Sequence, residues 1–99
     1  MANYFIAHTL RISADEFSSA MQSETVPELA KAMDSGQTPA KCLKSWNPLL
    51  YGNTDTFFCL WEADRTAVIE TTLGPEMLAM LTCNPLQVDE IDWSEISRG

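Results

Sequence analysis

Basic residues are scarce in this chain: six lysines and arginines stand against fourteen aspartates and glutamates, a net charge of −8 over 99 residues. A molecule of that sign is repelled by phosphate backbones and by anionic bilayers, which argues against nucleic acid and membrane surfaces as partners. Histidine occurs once, at His8, so a multi-histidine metal site within one chain is impossible. The cysteines are odd in number and widely spaced, at Cys42, Cys59 and Cys83, which argues against a disulfide framework and against a C-x-x-C motif. They read as reduced thiols acting as small hydrophobes. No apolar run approaches the ~20 residues that span a bilayer. The opening Met1-Ala2-Asn3-Tyr4-Phe5 lacks the basic and long apolar parts of a secretory signal, so a cytoplasmic location is expected. Glycine-rich phosphate loops, the H-E-x-x-H and G-x-S-x-G signatures and the calcium-loop pattern are also missing, and no cofactor or metal is expected.

Apolar side chains, by contrast, are plentiful. With 45% hydrophobic residues, among them three tryptophans and four phenylalanines, the chain has the material for one core without staples, and its length fits a single domain over 1–99. Tyr4 to Leu10 is β-rich and makes a first strand. Ser13-Ala14-Asp15-Glu16 then has the form of a capping box, and Phe17, Ala20 and Met21 follow at helical spacing. Val26, Leu29, Ala30 and Met33 resume that spacing after a break near Thr25 and Pro27, and Gly36 ends the segment. Cys42 to Tyr51 reads as a second strand with Pro48 marking an edge or a bulge, Gly52 to Asp55 as a turn, and Thr56 to Ala63 as the strongest strand. Asp64 caps a helix over Thr66 to Leu73, Gly74-Pro75 breaks it, Glu76 to Leu81 adds a short helical piece, and Leu86 to Trp93 closes the chain as a strand.

The order βαββαβ specifies an α+β, ferredoxin-like domain: a four-stranded antiparallel sheet with two helices on one face. Alternation along the strands then decides where a site must lie. Tyr4, Ile6, His8 and Leu10 separate from Phe5, Ala7 and Thr9; Phe57, Cys59 and Trp61 separate from Phe58, Leu60 and Glu62. Both sets are apolar, so the face without helices needs a second cover, and a homodimer joined through that face is expected. A turn at Gly52–Asp55 would pair Tyr51 with Thr56 and Trp46 with Trp61, an aromatic cross-strand pair that either cements the hairpin or floors a pocket on the helix-free face. In the second case Trp46, Tyr51, Phe57, Cys59 and Trp61 line the pocket and His8 lies beside it. His8 is then either a packed, hydrogen-bonded core histidine or a general base. Glu62 is either a ligand of helix-start amides or a carboxylate of raised pKa. Lys44 guards an edge strand, and Arg11 is the better candidate for an anion contact.

With YFIAHTL as opening strand, the Trp46 segment, the Gly52 turn and FFCLWEAD running towards the second helix, the chain resembles the ferredoxin-like proteins of the dimeric α/β-barrel superfamily. That resemblance implies two sheets meeting at their helix-free faces around a pocket, in cofactor-independent monooxygenases, isomerases, haem-degrading enzymes or binding proteins. Relatives that hold a metal do so through a histidine on the second strand, where this chain has Lys44-Ser45-Trp46. Two functions remain open. One is a dimer that binds a small hydrophobic or aromatic molecule without chemistry. The other is a cofactor-independent enzyme in which His8 moves a proton.

Overall fold

Ser13 begins the first helix by the mechanism its sequence announces. Its hydroxyl accepts from the Glu16 amide at 3.1 Å and donates to the Glu16 carboxylate at 3.0 Å, satisfying one of the amides a helix start leaves orphaned. In the computed structural model, which describes residues 1–53 and 55–98, this helix is α1 (Ala14–Met21), preceded by β1 (Ala2–Thr9). A separate helix, α2 (Thr25–Asp34), follows with Pro27 in its first turn, where a missing N–H costs nothing. Gly36, at φ 78°, adopts the left-handed conformation that stops it.

The second strand is shorter than its composition suggests. β2 spans Ala40–Trp46, and Pro48 then starts a 3₁₀ turn over Pro48–Tyr51, fixed by the Asn47 side chain accepting from the Leu49 amide at 3.0 Å. Within β2, Leu43 is the extra residue of a β-bulge between Cys42 and Lys44. Bulge and turn together reset the register against β3 (Thr56–Ala63): Cys42 faces Trp61, and Trp46 faces Phe58. The expected Trp46–Trp61 pair therefore does not exist. Trp46 lies three positions from where a tight hairpin would put it, an odd displacement, so the two indoles occupy opposite faces. Thr54, inside the expected turn, is outside the described residues.

α3 runs from Ala67 to Met80 in two halves, because Gly74, at φ 81° and ψ 168°, breaks the helical path just before Pro75. The chain then returns along the edge of β1. An isolated bridge Leu10↔Leu81 and the pairs Phe5↔Leu86, Tyr4↔Gln87 and Asn3↔Val88 share one register, interrupted where Pro85 has no N–H to give. Regular strand pairing survives only as β4 (Leu86–Val88). Beyond it, the expected strand to Trp93 is replaced by α4 (Trp93–Arg98), whose start is held by Asp92: its carboxylate accepts from the Ser94 amide and hydroxyl at 2.9 and 2.6 Å.

The result is an α+β architecture: an antiparallel four-stranded sheet in the order β2-β3-β1-β4, with four helices among the described residues. One sheet face presents Tyr4, Ile6, His8, Phe57, Cys59, Trp61 and Ala63, and all of these but His8 join Phe17 of α1 and Ile69 and Leu73 of α3 in the core, Phe17 meeting Phe57 edge-on at 5.2 Å. The other presents Phe5, Ala7, Phe58, Leu60 and Trp46 outside that cluster. Among the described residues no helix is long and apolar enough to cross a membrane.

Candidate functional site

α2 carries an apolar stripe, Val26, Leu29, Ala30 and Met33, yet buries none of its residues. The reason is a cavity of about 140 Å³ between that stripe and the sheet. Its sheet wall is His8 from β1, Cys42 and Ser45 from β2, and Phe57, Cys59 and Trp61 from β3. Met21 of α1 and Leu73 and Met77 of α3 close the sides. Between α2 and the second half of α3 it continues into a shallower groove through shared residues Val26, Leu29, Leu73 and Met77, so the Gly74 break helps shape the mouth.

Four of the six residues singled out from sequence therefore come together, although on the helix-covered face. His8, Phe57, Cys59 and Trp61 share one wall, as period-two alternation dictates. Trp46 lies on the opposite face, where its ring is 6.0 Å from that of Phe5, and Tyr51 is exposed in the 3₁₀ turn. Sequence reasoning did not single out Cys42, Ser45, Met21, Met33 or Met77 as site residues. Only the helical spacing of Met21 and Met33 gave a signal. Cys42 and Ser45, three apart, would lie on opposite faces of a regular strand, and the unmarked bulge at Leu43 is what aligns them.

His8 is 1% exposed, with Nδ1 2.6 Å from the Thr82 carbonyl oxygen. A carbonyl only accepts, so Nδ1 carries the proton, and the neutral ring keeps a lone pair at Nε2. Burial depresses the pKa of His8 below its ordinary value, with the Thr82 carbonyl partly opposing. An unfolded chain takes up this proton near pH 6.5, whereas the folded chain resists until lower pH. The unfolded state thus binds more protons in that interval, and stability present above pH 6.5 falls as the solution is acidified towards the folded pKa. Denaturant midpoints at pH 7.5 and 5.5 should show this decline, and His8→Gln should flatten it; an unchanged slope in the variant would assign the decline to other groups.

The remaining polar groups on the wall are sparse. Ser45 Oγ lies 3.2 Å from Cys59 Sγ and 3.6 Å from Cys42 Sγ. Trp61 Nε1 is the one buried side-chain nitrogen or oxygen without a hydrogen-bond partner among the described residues; its N–H approaches the Cys59 sulfur without reaching ordinary hydrogen-bond geometry. Among the described residues no group of three histidine, cysteine, aspartate or glutamate side chains is arranged to hold a metal ion. Glu62, on the far face opposite Lys41 and Asn3, has no part in this wall. No protein-family model matches the chain, nor does any curated protein or solved structure.

Proposed function

We infer that this domain binds a small, mostly apolar molecule, about the size of one aromatic ring, in the cavity between α2 and the sheet. The observation that carries this is an apolar hollow of about 140 Å³ with the His8 imidazole on its wall, Nδ1 held by the Thr82 carbonyl. A cavity of roughly 150 Å³ lined by aliphatic and aromatic groups stays dry and takes up benzene or xenon. The lone pair of His8 adds a preference for a ligand that donates a hydrogen bond. Phenol should therefore bind several-fold more tightly than benzene, since a net hydrogen bond contributes about 0.5–1.5 kcal/mol. Titration calorimetry with the two molecules tests it: binding at millimolar concentration or tighter, with phenol ahead, is expected, and no heat from either overturns the reading.

The second reading, a cofactor-independent enzyme using His8 as general base, is favoured by the fixed tautomer: an imidazole neutral at pH 7 with Nε2 unprotonated is ready to accept a proton. His8→Ala should then abolish turnover of a carbon acid while leaving ligand uptake measurable. Full retained turnover would remove this role.

The wider assignment proposed is a ferredoxin-like domain of the dimeric α/β-barrel kind, working as a homodimer. It is supported by the antiparallel order β2-β3-β1-β4 and by the half-buried aromatic row on the far face, where Phe5 stacks on Phe58 at 5.8 Å.

A further inference from the structure

We propose that Cys42 and Cys59 form a peroxide-reactive thiol pair on the cavity wall, Cys42 attacking and Cys59 resolving to a disulfide. Three features of the geometry carry this. The bulge at Leu43 turns Cys42 and Ser45 to the same face, and both sulfurs then lie within 3.6 Å of a single oxygen, Ser45 Oγ. Cys42 faces Trp61 and Ser45 faces Cys59 across the paired strands β2 and β3, so the two cysteines are diagonal neighbours on one face of the sheet. Finally, Cys42 is half-buried while Cys59 is buried: Cys42, with Ala30 and Met33, borders both the cavity and an open groove between α2 and β2, so a small oxidant reaches it from solvent. A reactive cysteine needs a polar partner for its thiolate and access from solvent, and Ser45 Oγ and the open groove offer these to Cys42.

The neighbouring Cys59 thiol and Ser45 hydroxyl lower the Cys42 pKa to about 7 against the cost of burial, while the neighbouring Cys42 and burial push that of Cys59 up. The charged and titratable groups around Cys42 are Lys31 and Asp34 on α2, Lys41 and Lys44 on its own strand, Cys59 on β3 and His8 on β1. Asp34 and Lys41 pair with each other at 3.3 Å. Cys83 is a contrast on the same chain: burial and Glu70 raise it to about 11.

The first step forms an S–O bond between the Cys42 thiolate and one oxygen of hydrogen peroxide. The O–O bond breaks, and the departing hydroxide takes up a proton to leave as water. Cys42 becomes a sulfenic acid and loses its negative charge, which removes the main influence holding the Cys59 proton in place. Cys59 then gives up that proton and attacks the Cys42 sulfur, forming S–S as S–O breaks and a second water departs. Two thiols and one peroxide yield one disulfide and two waters. Side-chain rotation leaves the Cα separation unchanged, so closing the link also requires the backbone at the Leu43 bulge to bring the two Cα atoms within about 7 Å.

The test treats the full native chain with hydrogen peroxide across pH 5.5–8.5 and maps the modified peptides by mass. An intramolecular Cys42–Cys59 link, with the mass of two hydrogens lost and Cys83 still reduced, is expected. The Cys42 rate should rise with a midpoint near pH 7 and exceed that of Cys83 at least tenfold at neutral pH. In Cys59→Ser, a sulfenic acid at Cys42 should be trapped by dimedone. Comparable oxidation of all three thiols, a reduced Cys42, or oxidised Cys42 without a link to Cys59 in the unsubstituted chain overturns the proposal whether or not the variant folds.

Discussion

Trp61→Ala is expected to cost about 3–5 kcal/mol of folding stability, the range for truncating a buried aromatic ring, which is a large part of the 5–15 kcal/mol typical of a domain. The indole is 2% exposed and belongs to the same core cluster as Ile6, Phe17 and Ile69. Its removal would also merge the lost volume with a hollow already present, so the site has little left with which to collapse. Trp61→Phe should behave differently. It keeps most of the apolar contact and deletes Nε1, a buried donor without a partner, and removing an unsatisfied buried group is nearly neutral or even favourable. Urea unfolding of the two variants separates these outcomes. An Ala variant within about 1 kcal/mol of the parent would mean that the ring is not part of the core.

The second large effect concerns the sheet face opposite the core, where Phe5 and Phe58 are half-buried and Trp46 and Leu86 are exposed. Phe5, Phe58 and Trp46 form a contiguous aromatic row, with Trp46 46% and Leu86 65% exposed. Pairing two such faces around a two-fold axis would cover both at once, and a stable interface of standard size hides about 800 Å² on each partner. Sedimentation of the unsubstituted chain at micromolar concentration should show a dimer. Phe58→Glu, which buries an unpaired charge in each copy, should give a monomer with unchanged circular dichroism. A clean monomer of the parent chain at every concentration contradicts the assignment. The charge of −8 on each chain opposes association only through screened, long-range repulsion.

Local chemistry was legible wherever one residue decides it. Ser13 with Glu16, Gly36, Gly74 before Pro75, and the strand Thr56–Ala63 all appear where the residues indicate. Register was not legible, because it depends on a bulge at Leu43 and a 3₁₀ turn at Pro48 that no pattern of alternation marks. An odd shift there moves Trp46 from the Trp61 face to the Phe58 face. Nor did alternation reveal which face the helices cover, since both faces of β1 and β3 are apolar. Thus the partnership of His8, Phe57, Cys59 and Trp61 followed from period two, while their position under α2 required the packing of the helices. The tail failed for a local reason: the Asp92 carboxylate accepts from the Ser94 amide and starts a helix where a strand was expected.

The cavity beneath α2 as the place of ligand uptake is tested most directly by methyl NMR of the methionines. Met21, Met33 and Met77 line the cavity, whereas Met1 and Met80 do not. Titrating phenol into the chain labelled at its methionine methyl groups should shift those three signals together, saturating with one affinity, and leave Met1 and Met80 in place. Unmoved cavity methyls at ligand concentrations well above millimolar, or shifts spread equally over all five, would contradict it.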